Sequence, residues 1–427
     1  MKRFPAALFL FLCAVCGWAQ GLEDWYAALS QAAGVDKNAG LTTFLTLVIP
    51  PGGMYQAMGT AYSAVLKDSG YLEANPAGSA LLKETELSVY HNDWIGDSRL
   101  ETVVFTIRQG DLGVGLGAKL LYIPFTGIDT WGQRYQNSWS QDYAKGYYTE
   151  FVGTANLAYT AFGNYYFHGL TMGANLKLAQ RSVPEAIAKG QSALSLMADL
   201  GLLTKFNFLK FYPSRERNLA FSAVLKNFGT PVMGDPLPTS LVFGMAYSPI
   251  RQLTISADGT FPHNFAAAID PTYLVKGALG PKDETASAAA GMDLAMTEFW
   301  ALQAGLEYKV GRPRLTAGTT VNLEKLTLNV SYTVDLMTTL AVPDRLSIEV
   351  KLNLGDLGRQ EAEDRAREFY LNGLVAYAKG NLEEAVIQWD KAIEVLPSFL
   401  PARELRDTAQ KAIDLQKKME ENQSKTQ

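Results

Sequence analysis

Chemistry in this 427-residue chain would have to come from few side chains. The three histidines, His91, His168 and His263, lie far apart and lack the spacing of metal ligands. His168 falls on the apolar register of its segment, as a lipid-interface residue would. Both cysteines, Cys13 and Cys16, lie in the N-terminal leader described below. There is no Gly-x-Ser-x-Gly, no phosphate loop and no evident serine–histidine couple, so neither hydrolase nor nucleotide chemistry is expected, and no cofactor or metal. What remains is a set of charges on one register of alternating segments: Lys177, Lys226, Lys309, Arg345 and Lys351 with Asp258, Asp293, Glu307 and Glu349. Acids and bases mixed in this way are expected to neutralise one another along a shared wall, and none stands out as the anchor for a carboxylate.

The elements that carry these charges alternate with a period of two between residues 86 and 354. Residues 325–335 place Leu326, Leu328, Val330, Tyr332 and Val334 on one face, and lysine, threonine, asparagine, serine and aspartate on the other. Residues 345–354 and 167–178 repeat the pattern. About fourteen such strands are expected, near 86–94, 99–108, 112–122, 149–162, 165–180, 192–206, 218–227, 239–249, 251–261, 286–297, 299–310, 313–322, 325–334 and 344–354. Many approach ten residues, the length a tilted strand needs to cross a bilayer, where strands of soluble sheets run to about 5–6. The chain has 37 glycines and 47 aromatic residues (20 Phe, 20 Tyr, 7 Trp), and no apolar stretch of helix-spanning length follows the leader. The predicted fold class is therefore an all-β transmembrane barrel of antiparallel strands, in contact with outer-membrane lipid. A net charge of -5 argues against a nucleic-acid surface.

The connections test this reading, because outer-membrane barrels pair short periplasmic turns with long outer loops. The third, fifth and ninth connections, near 123–148, 181–191 and 262–285, are long, whereas those at Gly110–Asp111, Gly163–Asn164, Pro249–Ile250 and Leu323–Glu324 are tight. One even connection, Asn207–Arg217, is too long for the rule, and the first and eleventh are short. The parity places both chain ends in the periplasm. Tyr122, Trp131, Tyr135, Trp139, Tyr143, Tyr147, Tyr148, Tyr165 and Tyr166 cluster as an interfacial belt would.

Three further segments flank or fill the barrel. Residues 1–19, with Lys2 and Arg3 before an apolar run, have the layout of a secretory signal peptide; a lipoprotein leader using Cys16 is the alternative. Residues 20–85 form an N-terminal hatch or plug, apolar and interrupted, with short helical stretches including Tyr55–Leu66; such a segment needs something to be packed inside. Residues 355–427 read as a charged helical domain in the periplasm. Phe369, Gly373, Gly380, Ala385, Trp389, Ala392 and Pro397 fall at the spacing of one tetratricopeptide-like repeat, which suggests a periplasmic protein partner.

Met58-Gly59-Thr60-Ala61, followed by Asn75-Pro76-Ala77-Gly78 and leading directly into strands, resembles the start of the long-chain fatty acid transporter (FadL) family, and still more its uncharacterised spirochaete branch. The resemblance covers roughly residues 22–354. It implies a fourteen-stranded barrel with a hatch in its lumen, importing long-chain fatty acids or other hydrophobic molecules passively, with lateral exit through a kink in the third strand. Gly113, Gly115 and Gly117, with Pro124 beyond, are the candidate lateral gate; glycines that only relieve crowding on one face are the alternative. The chain departs from the family in continuing past the barrel. A structural or secretion-assembly platform using the C-terminal repeat is the second functional reading.

Overall fold

A computed structural model describes residues 42–94, 98–126, 145–163, 167–183, 190–214, 216–233, 235–263, 284–309, 311–336 and 345–426. The predicted leader, residues 20–41 of the N-terminal domain, and the belt aromatics Trp131, Tyr135, Trp139, Tyr143, Tyr165 and Tyr166 lie outside the described residues.

The alternating segments become β1 (Glu86–Asp93), β2 (Arg99–Gln109), β3 (Leu112–Thr126), β4 (Lys145–Ala161), β5 (Leu170–Ser182), β6 (Ala193–Phe206) and β7 (Leu219–Gly229). They continue as β8 (Ser240–Ile250), β9 (Leu253–Pro262), β10 (Ser287–Ala295), β11 (Trp300–Lys309), β12 (Arg312–Leu323), β13 (Leu326–Asp335) and β14 (Arg345–Asn353). Each strand pairs with its sequence neighbours, and β14 returns to β1 from Glu86↔Asn353 to Asp93↔Leu346, which closes the barrel. Closure leaves no strand edge, the condition for a sheet in lipid. In β13 the inward residues Thr327, Asn329, Ser331, Thr333 and Asp335 are buried, while Val330 and Tyr332 are exposed outside. The same division holds in β14, where Arg345, Ser347 and Glu349 are buried and Leu346, Ile348, Val350 and Leu352 face out. An outer surface of leucine, valine, isoleucine and phenylalanine is matched to hydrocarbon rather than water.

The lumen is filled by residues 42–85. The segment enters at the end bearing the odd-numbered connections, where Thr43 N donates to Pro236 O, and reaches the even end, where Arg108 donates to Leu82 O. The sequence suggested a helix over Tyr55–Leu66; the structure has only α1 (Gly53–Ala57) and α2 (Tyr71–Ala74), with 3-10 turns at Leu45–Leu47 and Pro76–Ala80. Left-handed backbone at Gly59, Thr60 and Leu66 breaks the helix. The wall makes the irregular path tolerable by pairing with its peptide groups. Asp258 accepts from Tyr62 N and Ser63 N at 3.0 and 2.9 Å, Ser256 donates to Ala61 O, and Thr316 donates to Ala57 O. Asn156 donates to Pro76 O, Asn175 to Leu72 O, Lys119 to Ile49 O and Asn92 to Pro50 O. Helical periodicity is unnecessary where strand side chains satisfy the backbone.

Close approach also bears on the third-strand glycines. β3 pairs without a register shift to β2 from Leu112 to Tyr122 and to β4 from Leu112 to Thr126. A β-carbon on Gly113 would strike the Ser79–Ala80 backbone, on Gly115 the Tyr71 hydroxyl, and on Gly117 the Leu72 side chain. These glycines make room for the inner segment, the second of the two readings the sequence offered. Pro124 lies beyond the last β2 pair among the described residues, opposite Tyr147 of β4. Gly291, Gly305 and Gly318 do the same for Met58, Gly59 and Ala57 on the far side.

The C-terminal helices form a separate compact unit: α3 (Arg359–Ala378), α4 (Leu382–Val395) and α5 (Leu400–Thr426). Trp389 is fully buried, its Nε1 donating to Tyr370 O at 3.2 Å and its ring lying against Gly373. Ala385, Ala392 and the partly buried Phe369 join this core, Gly380 takes the left-handed backbone of the α3–α4 turn, and Pro397 sits between α4 and α5.

Two outcomes follow from this packing. Gly113→Val should lower the unfolding midpoint, by about 1–3 kcal/mol of overpacking, and expose residues 42–85 to protease, whereas Gly153→Ala, whose added carbon meets only ordinary contacts, should do neither. Trp389→Ala should cost the helical unit about 3–5 kcal/mol, read as proteolytic loss of the tail from a barrel that still migrates as folded.

Candidate functional site

Strand β7 reads Leu-Ala-Phe-Ser-Ala-Val-Leu-Lys-Asn-Phe-Gly, alternating cleanly until two polar residues fall together at Lys226 and Asn227. The structure resolves the conflict with a β-bulge. Leu200 pairs with Leu225 and Ala198 with Phe228, so Asp199 of β6 faces both Lys226 and Asn227. Asn227 takes the extra turn with a φ of 53°. The bulge turns two successive side chains into the lumen, a device found near binding and active sites.

Of the three polar side chains at the bulge, Asp199 and Asn227 are tied down. Asp199 accepts from Asn227 N at 2.7 Å, from Asn175 at 2.8 Å and from Lys177 Nζ at 2.6 Å. Asn227 Oδ1 accepts from Lys177 at 3.0 Å, and its Nδ2 donates to Pro238 O. Thr239 Oγ1 donates to Asn227 O. Lys226 is the exception: its ammonium sits 5.8 Å from the Tyr55 ring centroid and pairs with no described carboxylate.

Beside this lysine lies a cavity of about 130 Å³ lined by residues at the odd-connection end. Leu47, Val48, Tyr55, Leu237 and Val242 supply apolar wall, and Lys226, Asp258, Glu307, Lys309 and His263 supply polar points. A smaller space of about 20 Å³ lies by Lys226 and Asn227, lined also by Glu73 and Lys177. The mixture of an apolar wall with a few fixed polar groups is the usual character of a small-molecule site.

The expected neutralisation along the wall is present, with partners the alternating pattern alone did not name. Arg345 pairs with Asp335 at 3.3 Å, Lys351 with Glu86 at 3.3 Å, Glu307 with Arg314 at 3.1 Å, and Asp293 with Lys67 of the inner segment at 2.7 Å. Glu349 accepts from Ser88, and Asp258 is held by the inner-segment amides. Only Lys226 and Lys309 of the candidate bases lack a described carboxylate partner, and both line the cavity.

The two predicted motifs dock the inner segment on different sides of the wall. Asn75 caps the 3-10 turn by accepting from Ala77 N at 3.0 Å and fastens it by donating to Ser63 O and to Leu202 O of β6. Pro76 and Ala77 press on Gly173 of β5, and Gly78 leaves room for the Tyr71 ring. Met58 and Gly59 lie against Gly291 and Gly305. Among the described residues no group of histidines, cysteines and acids could hold a metal, and His91 faces outward with Glu101 2.8 Å from Nδ1. Sequence reasoning missed the bulge; the doubled polar residues at 226 and 227 were its signal.

Comparison with known proteins adds relatives to this geometry. An uncharacterised protein of Treponema pallidum (strain Nichols) is 29% identical over 407 residues, spanning 92% of this chain and 89% of its own length. A second from the same organism is 24% identical, spanning 87% and 76%. Among solved structures, the toluene transporter TbuX of Ralstonia pickettii has a TM-score of 0.46 at 14% identity, covering 71% of this chain and 98% of its own. The monoaromatic hydrocarbon channel CymD has a TM-score of 0.49 at 12% identity, covering 73% and 99%. Residues 24–356 match the uncharacterised protein family UPF0164, and the chain belongs to that family.

Proposed function

We propose that this barrel sits in the outer membrane and passively carries hydrophobic molecules with an acidic end, long-chain fatty acids fitting best. The observation that carries the reading is Lys226, re-aimed by the bulge into a partly apolar cavity without a described carboxylate of its own. The apolar wall takes the chain of the ligand and the ammonium takes its carboxylate. In this reading residues 42–85 act as a hatch: they occupy the lumen, so the ligand is not offered an open aqueous bore. The odd-numbered connections then face outward, and both chain ends lie in the periplasm.

Leaving sideways into lipid keeps an acyl chain out of water, which would otherwise cost roughly 0.8 kcal/mol per methylene. Among the described ladders the β6–β7 bulge interrupts the pairing beside the cavity, and we place the exit there. A second role for the helical tail as a tetratricopeptide-like platform for a periplasmic partner is favoured by Leu371, Val375, Ile387 and Leu415, all exposed on its surface.

Displacement of a fluorescent fatty acid from the purified full chain tests the site. Lys226→Met should weaken fatty-acid binding at least about tenfold, the loss of one charge-assisted hydrogen bond, while leaving a fatty alcohol of equal length unchanged. Equal affinity of wild type and variant for the acid would remove Lys226 from the account. For the exit, a cysteine pair replacing Ala198 and Phe228, directly opposite across β6 and β7, should when oxidised slow transfer of bound probe into nanodisc lipid without changing affinity. Unchanged transfer would return the exit to β3 and Pro124.

A further inference from the structure

The one even-numbered connection too long for its place runs between β6 and β7, and the structure gives it a form. Phe208, Leu209 and Phe211 project from it with relative exposures of 52%, 63% and 73%. Their backbone is nonetheless paired. Asn218 Oδ1 accepts from Phe208 N and its Nδ2 donates to Phe208 O. Tyr247 Oη donates to Leu209 O at 2.8 Å, Phe211 N donates to Pro249 O at 3.1 Å, and Arg251 donates to Pro213 O at 2.6 Å. A loop in water has no need of such pairing. One that enters a bilayer does, because unsatisfied peptide groups are costly there.

The apolar tip continues the lipid-facing surface of the strands. Phe206 packs with Phe221 at a centroid distance of 6.4 Å, and Phe208 with Tyr247 at 6.1 Å. Behind the tip stand two cations around one ring, with Lys210 Nζ 5.2 Å and Arg251 Cζ 5.9 Å from the Tyr212 centroid. Lys210 is held there by the carbonyl oxygens of Ser214 and Glu216. The connection's one acid, Glu216, is paired to Lys83 at 2.9 Å, so the rim beside the aromatic tip is positive.

We propose that the β6–β7 connection is a lipid-binding finger. Phe208, Leu209 and Phe211 enter the acyl region at the barrel rim, and Lys210 and Arg251 hold the phosphate of an anionic phospholipid. Assigning that lipid to the periplasmic leaflet rests on the orientation proposed above; the binding itself does not. Aromatic and apolar side chains seat the rim at the level of the headgroups, and the two cations select among headgroups by charge.

The test uses the full chain in nanodiscs of phosphatidylcholine with a minor fraction of phosphatidylglycerol, followed by native mass spectrometry of the lipid that stays bound. Wild type should retain phosphatidylglycerol several-fold above its share of the disc, and Lys210→Ala with Arg251→Ala should bring it down to that share. Should the double variant fail to fold, Lys210→Gln and Arg251→Gln singly keep a donor for the loop carbonyls and should each lower the enrichment. Enrichment unchanged in folded variants would overturn the proposal. So would inorganic phosphate at millimolar concentration displacing the lipid completely, which would mark a free-anion site. Fatty-acid displacement measured on the same variants should equal wild type, so loss of the finger and loss of the transport site read out separately.

Discussion

The chain from Leu45 to Ala80 lies inside this barrel with much of its backbone irregular, and each buried peptide group there must find a partner. The rest of the structure answers that constraint. Inward positions of the strands are serine, threonine, asparagine and aspartate because they are the partners: Ser256, Thr316, Asn156, Asn175 and Asp258 all bond inner-segment backbone. Glycines face inward where backbone approaches backbone, as at Gly59 and Gly305. A wall of apolar residues would leave those amides and carbonyls unpaired, at about 1–3 kcal/mol for each.

The same wall explains why the two cavity lysines, Lys226 and Lys309, are conspicuous. Charges buried in a lumen are tolerable when paired and hydrogen-bonded, and Lys177, Lys351, Arg345 and Arg314 are. The β6–β7 bulge spends Asp199 on Lys177 and on the Asn227 amide, so Lys226 arrives beside the cavity without it. The geometry that fixes the bulge also commits the Asp199 carboxylate elsewhere. An ammonium left in that position is suited to an acid that arrives from outside.

Much of the architecture was legible because a closed barrel writes its period into every strand. Residues 325–335 and 345–354 divide by face in the structure as alternation divides them in the sequence. The inner segment was legible only as apolar and interrupted. Its path depends on side chains up to 277 residues away, such as Thr333 accepting from Gln56, which no local pattern contains. The third-strand glycines left two readings open, a gate or relief of crowding, because composition does not reveal what a glycine faces. The bulge left a local mark in Lys226-Asn227, and the overlong connection left one in its length, but both needed cross-strand register to become meaningful.

A crystal structure of the full chain grown with a long-chain fatty acid brominated at its terminal carbon would test the central claim most directly. The account predicts an anomalous peak for bromine within the cavity and the carboxylate at hydrogen-bond distance from Lys226, with residues 42–85 still filling the lumen. A saturated crystal whose cavity holds no acyl chain, with bromine only on the outer face of the strands, would contradict it.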